Sequence, residues 1–254
     1  MANKLYQESS VAAIADAIRA KNGSSDKYTI GEMAPAILGI SGSFEVPADM
    51  CFGDSDFTKL PEGLSITGRI SCLRLFIDCT YLTEAPLFDT SSTTNMREMF
   101  YGCDSLVTVP QYNTSAVNNM SRMFAYCSSL PTVPLLDTTN VTNMQSMFSE
   151  CSNLVTVPQF DTSSVTNFDN MFYNNLKLVN YPVLDFSSAM SLKSMFNNCM
   201  TLSNGSLQNI LKSLLTAASY TGTKRLSTLG IIFSQAATCK TFPEWSILEA
   251  EGWS

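Results

Sequence analysis

A single phrase returns every twenty-four residues between Leu75 and Leu202, through five steps without insertion or deletion. Its landmarks are Leu75-Phe76, Met99-Phe100, Met123-Phe124, Met147-Phe148, Met171-Phe172 and Met195-Phe196. Four residues after the first member come Cys79, Cys103, Cys127, Cys151, Asn175 and Cys199, and three further on Leu82, Leu106, Leu130, Leu154, Leu178 and Leu202. Pro86, Pro110, Pro134, Pro158 and Pro182 follow, then Asp89, Asn113, Asp137, Asp161 and Asp185 with hydroxyl-rich residues behind them. So short and regular a period allows one architecture, a solenoid in which each repeat is one coil and packs only on its neighbours. The repeated apolar residues predict a core of like side chains stacked in columns. Proline breaks each strand-like run at one corner, and Asp-Thr-Ser makes the next by bonding its own backbone. The pattern predicts short parallel strands at Leu106–Val109 and equivalents, a helical or 3₁₀ turn around each Met-Phe, and about 4.8 Å per coil.

The array, residues 75–203, resembles the BspA-type leucine-rich repeats of bacterial surface proteins, in a Met-Phe-x-x-Cys variant. The residues carrying the likeness run from Asp137-Thr138-Thr139-Asn140-Val141-Thr142-Asn143-Met144 through Met147-Phe148-Ser149-Glu150-Cys151 to Leu154. The resemblance implies a leucine-rich-repeat-like α/β solenoid used for adhesion or recognition. Phe186, Ala189 and Ser203 depart from the pattern, so regular coiling is expected to end there.

The flanks read as small helical caps. Residues 1–40 form a predicted helical hairpin, with Val11, Ile14 and Ile18 on one face, Gly23 at its end, and a capping-box spacing at Thr29 and Glu32. Two short helices bury too little to stand alone, so they need the solenoid or a partner. Residues 41–74 read as a linker and degenerate first coil, because Phe52 precedes Phe76 by one period. Residues 204–254 read as a closing cap: one helix from Ser206 with Leu207, Ile210, Leu211, Leu214 and Leu215 inward, another opening near Pro243 and stopping at Gly252. The phrases Ile14-Ala15-Asp16-Ala17-Ile18-Arg19, Lys27 to Met33 and Ile37 to Ile40 resemble a module near the ends of tailed-phage tail and fibre-associated proteins. Ala237-Thr238-Cys239 with Trp245 to Trp253 resembles the C-terminal segment of phage structural proteins. These likenesses imply a virion protein assembled in the host cytoplasm, docked to other virion proteins and presenting the solenoid to a host surface protein or glycan, with homo-oligomerisation open. A structural decoration protein and a bacterial cell-surface adhesin are the alternatives.

Little points to chemistry. The chain has no histidine, which removes the commonest general base and metal ligand. No Gly-x-Ser-x-Gly, P-loop or dinucleotide fingerprint occurs, so no catalytic residue, cofactor or metal is assigned and an enzyme is not expected. The net charge of −7 and the lack of a basic cluster argue against nucleic acid. No apolar run suits a membrane span or an export signal. Five of the eight cysteines share one phase, which suggests a reduced buried ladder; pairing between adjacent coils is open but not required. The Asp/Asn column reads as a repeated corner more readily than as a calcium ladder. Recognition would then use the positions where the repeat varies: Arg97, Glu98, Arg122, Gln145, Asp169 and Lys193 before each Met-Phe, and Tyr101, Tyr126, Glu150 and Tyr173 after it.

Overall fold

The computed structural model describes residues 68–254, together with Phe44–Glu45, Phe52, Thr58 and Leu64–Ser65. The expected N-terminal hairpin, and most of the linker after it, lie outside the described residues. Two short strands, β1 (Phe44–Glu45) and β2 (Leu64–Ser65), pair in parallel.

The repeat coils as a stack. The rings of Phe52, Phe76, Phe100, Phe124, Phe148, Phe172 and Phe196 form one column, with successive centroids 5.3–5.8 Å apart and planes within 11°. That spacing falls in the range where parallel aromatic rings attract and somewhat exceeds the expected 4.8 Å. Beside it run fully buried columns of Met or Leu, Leu, and Val. Phe52 continues the column one period before Phe76, and its N–H donates to Leu75 O at 2.7 Å.

The backbone corrects two expectations. Strand-like pairing shrinks to isolated parallel bridges: Glu84 with Thr108, Thr156 with Asn180, and a longer series joining Ser71, Asn95, Asn119, Asn143, Asn167 and Ser191. The Met-Phe segment is a run of overlapping tight turns, neither α nor 3₁₀. Met99 N–H returns to Met96 O and Cys103 N–H to Phe100 O, while the alternate N–H groups of Glu98, Phe100 and Gly102 donate to Ser121, Met123 and Ala125 of the next coil. A helix would aim all these donors along its own axis. Here alternate donors serve the coil and the stack. The alternation requires one left-handed residue per turn, supplied by Arg74, Glu98, Arg122, Ser146, Asn170 and Ser194, all near φ +55°, and by a second series from Asp78 to Asn198. In that series the Asp78 carboxylate occupies the space a side chain on Gly102 would need. The α/β description therefore fails for the array, which is built from turns and bridges.

Polar ladders bind the coils. Each thiol donates to the Phe carbonyl one coil back: Cys103 to Phe76 (3.0 Å), Cys127 to Phe100 (3.1 Å), Cys151 to Phe124 (3.0 Å) and Cys199 to Phe172 (3.0 Å). Asn175 does the same through Nδ2 to Phe148 O at 2.8 Å. The column thus selects a small donor, which is why Asn can replace Cys. Burial holds the thiols protonated, pushing Cys199 to about 12 and Cys127 well above its ordinary value, so they are donors and not nucleophiles. No disulfide joins the described cysteines. Asn175 Oδ1, however, is buried with no hydrogen-bond partner. Asn175→Cys keeps the donor and removes the orphan acceptor, so we expect a gain of about 1 kcal/mol in urea unfolding.

The Asp/Asn corners are Asx turns, with Ser91, Ser115, Thr139, Ser163 and Ser187 N–H donating to the side chain two residues back. The buried hydroxyls of Thr90, Thr114, Thr138 and Thr162 donate across to the next coil's Asp/Asn carbonyl at 2.6–2.8 Å.

After the last coil come helix α1 (Asn204–Leu215), a 3₁₀ turn (Leu226–Leu229), and helices α2 (Phe233–Cys239) and α3 (Pro243–Ala250). Ser203 caps α1 by accepting from Ser206 N–H, and Pro243 opens α3. Leu207, Ile210, Leu211 and Leu214 are buried as the periodicity predicts, whereas Leu215, expected inward with them, is half-buried at the helix end. Polar groups finish the fit. The hydroxyls of Ser206, Ser213 and Thr216 accept from Tyr181, Leu184 and Phe186 N–H. Thr228 O and Leu229 O accept from Ser194 and Phe196 N–H, as a further coil would. Helix α2 and the 3₁₀ turn are additions to the two helices that the sequence predicts, and Gln235 of α2 donates to Cys199 O at 2.7 Å.

Candidate functional site

The overlapping turns give each coil an outward edge. Positions 96, 99, 100 and 103 and their equivalents point inward, which leaves 97–98, 101–102 and their equivalents on the outer turn, where some side chains are exposed and others, such as Ser121, Ala125 and Ser146, are buried. Fixed hydrogen bonds on both sides hold these positions in register, so their side chains vary without cost to the core.

The ten variable residues fall on this edge but are not equally available. Arg97, Arg122, Tyr126 and Lys193 are exposed; Tyr101, Gln145, Glu150, Asp169 and Tyr173 are half-buried. Glu150 accepts a short hydrogen bond from Asn174 of the next coil. Asp169 accepts from Ser191 Oγ and Lys193 N–H, which commits it to the coil-to-coil contact.

Glu98 is a correction. The sequence placed it at the surface, but its side chain is only 3% exposed. Three guanidinium groups cover it. Arg74 pairs with Oε2, while Arg97 at 3.0 Å and Arg122 at 3.5 Å share Oε1. Arg74, Glu98 and Arg122 occupy one phase of successive coils, so the carboxylate sits between arginines above and below. Burial alone would push its carboxyl up, but hydrogen bonds and charge from Arg74 and Arg97 outweigh that and hold it below its ordinary 4.5. Glu98 therefore orients the arginines and is not itself a contact residue.

Beside this fan the rings of Tyr101 and Tyr126 meet at 5.2 Å and 57°. The hydroxyl of Tyr101 is raised by burial, then by the neighbouring Tyr126 and Asp78, with Arg122 opposing them. Arginines and tyrosines thus form one patch over two adjacent coils. A groove on another face is lined by Gln111, Leu135, Asp137, Gln159 and Asp161. Its glutamine amides are spent on Leu135 O and Val183 O. Among the described residues no group of His, Cys, Asp and Glu is arranged to hold a metal ion, and no helix is long and apolar enough to cross a membrane.

These features define a repeat solenoid with a side-chain-bearing turn edge. A family model described as "Mycoplasma protein of unknown function, DUF285" matches residues 71–156 and 127–221, more than half of the chain. The chain belongs to that family. The match covers the array that resembles BspA-type leucine-rich repeats and stops short of both phage-like segments, 14–40 and 237–253. Among solved structures, the crystal structure of a T. pallidum leucine rich repeat protein is similar over 71% of this chain and 85% of its own, at 16% identity and a TM-score of 0.36. At that score the likeness adds no argument, and the fold rests on the stacking described above. No curated protein matches.

Proposed function

We propose that this chain is a non-catalytic recognition protein whose solenoid displays contact residues along its turn edge. The carrying observation is the fixed register of that edge: equivalent turn positions recur coil after coil, with Arg97, Arg122, Tyr126 and Lys193 exposed among them, and the Phe stack fixes the step at 5.3–5.8 Å. Side chains held this way add weak contacts without paying for their ordering again, and repeated units multiply avidity. The absence of histidine and of catalytic motifs in the sequence supports a binding role over an enzymatic one.

The finer reading is a tailed-phage virion component, with a flanking segment docked to the particle and the solenoid turned to a host-surface protein or glycan. It draws on the resemblance of residues 14–40 and 237–253 to phage structural modules. Decoration of the capsid or tail, and a bacterial surface adhesin, are the competing placements. Immunodetection in purified particles and binding of the purified chain to host cells separate the three. Presence in particles with saturable cell binding supports the virion reading. Presence without binding, and with attachment unchanged in particles lacking it, supports decoration. Its location on the bacterial surface alone overturns the virion reading.

A further inference from the structure

We propose that the Arg97–Arg122 fan and the Tyr101–Tyr126 pair form a binding site for an acidic sugar, its carboxylate held by the guanidiniums and its ring resting on the tyrosines. This inference rests on the recognition reading and gives its ligand a chemical class.

The charge is the first argument. Arg74, Arg97 and Arg122 are three of only fifteen basic residues in a chain of net charge −7, yet they converge on one carboxylate. Arg97 and Arg122 both turn to the same oxygen, Oε1 of Glu98, and Asp78 stands close enough to act on Tyr101. One arginine would neutralise Glu98, and a hydroxyl or amide residue fills the same phase in later coils, as Ser146, Asn170 and Ser194 do.

Geometry is the second. Arg97 spends Nε and Nη2 on Glu98, and Arg122 spends Nη1. Each guanidinium carries five N–H donors, so both keep donors directed away from Glu98, and both side chains are about half exposed, at 45% and 46%. A buried carboxylate that fixes two outward guanidiniums prepays their ordering. A planar, bidentate acceptor such as a carboxylate suits that fork.

The tyrosines decide between anions. Tyr126 is 46% exposed and tilted against Tyr101 in the neighbouring coil. Together they offer an aromatic shelf beside the arginines. A bare phosphate has no use for such a shelf, whereas a sugar ring has an apolar face to lay on it and hydroxyls to bond. Nucleic acid is disfavoured because the patch is short and the surrounding chain acidic.

The experiment titrates the full-length chain with sialyllactose and with oligogalacturonate, using lactose and inorganic phosphate as comparators, by calorimetry and tyrosine fluorescence. We expect both acidic sugars to bind and lactose not to. Arg97→Gln and Arg122→Gln should each weaken binding about tenfold, and Tyr126→Ala should weaken it with thermal unfolding still cooperative. Lys177→Gln, outside the patch, should leave it unchanged. Added salt should weaken it, as expected for partly exposed charges. Equal binding of lactose, full competition by phosphate at equal affinity, or indifference to both arginine substitutions would overturn the proposal. So would binding of acidic peptides where neither sugar binds. If the probes fail while the chain still binds host cells, the sugar assignment falls and the recognition reading stands. If cell binding fails as well, both fall.

Discussion

Phe148→Ala is expected to cost about 3–5 kcal/mol, the range for deleting a fully buried aromatic ring. Phe148 lies between Phe124 at 5.8 Å and Phe172 at 5.7 Å and also stacks on Phe160 at 6.2 Å. Removing it opens a cavity in the middle of the column and breaks ring contacts on both sides. The void cannot collapse, because its neighbours are pinned: Phe148 N–H donates to Met171 O, and Phe124 N–H to Met147 O. Because each coil leans only on its neighbours, the damage should divide the stack, with the two halves unfolding at different urea concentrations. Leu135→Ala is the control. Leu135 is 58% exposed, and its truncation should shift stability by no more than about 0.5 kcal/mol. Equal midpoints for the two variants would contradict the stacked core.

Ser146→Pro is expected to cost about 3 kcal/mol or more, although serine is small and lies at the turn edge. Ser146 sits at φ +54°, whereas proline is fixed near −65°. Its N–H also donates to Asp169 O at 2.8 Å, and proline has no such donor. Ser146→Gly should act oppositely. The left-handed conformation costs a non-glycine residue about 1–2 kcal/mol, and glycine's greater freedom when unfolded returns about 0.5–1 of that. A net gain of about 0.5–1 kcal/mol should follow in urea unfolding. Glycine destabilising the chain as much as proline would refute the left-handed turns.

The core was legible because like residues recur at like phase, and stacking leaves them one place to go. The Asp-Thr-Ser corners were legible for the same reason, joined to the habit of Asp and Asn of bonding their own backbone. The left-handed columns were not. Their usual signature is Gly or Asn, and here it is diluted by Arg74, Glu98, Arg122, Ser146 and Tyr126, so a helical turn was the natural guess. Glu98 misled because variable charged positions are usually exposed. The signal was the alternation of Arg74, Glu98 and Arg122 at one phase, which places opposite charges on touching coils. At the C-terminal end the leucines marked α1. Ser206, Ser213 and Thr216 lie on the same helical side, but the unpaired N–H groups they meet belong to the last coil, and no local pattern reveals them. Seven-residue α2 lacks a strong start signal. Its role comes from Gln235 reaching Cys199, a contact across the fold.

The most direct test of the stacked-column account compares two deletions by circular dichroism and urea unfolding. Removing residues 124–147 excises one period and joins Met123 to Phe148, so every column closes up in phase. Removing residues 124–135 excises half a period and sets each later side chain against the wrong neighbour. The account expects the first variant to fold and unfold cooperatively with one coil fewer, and the second to lose its ordered array. Equal tolerance of both deletions, or equal collapse, would contradict it.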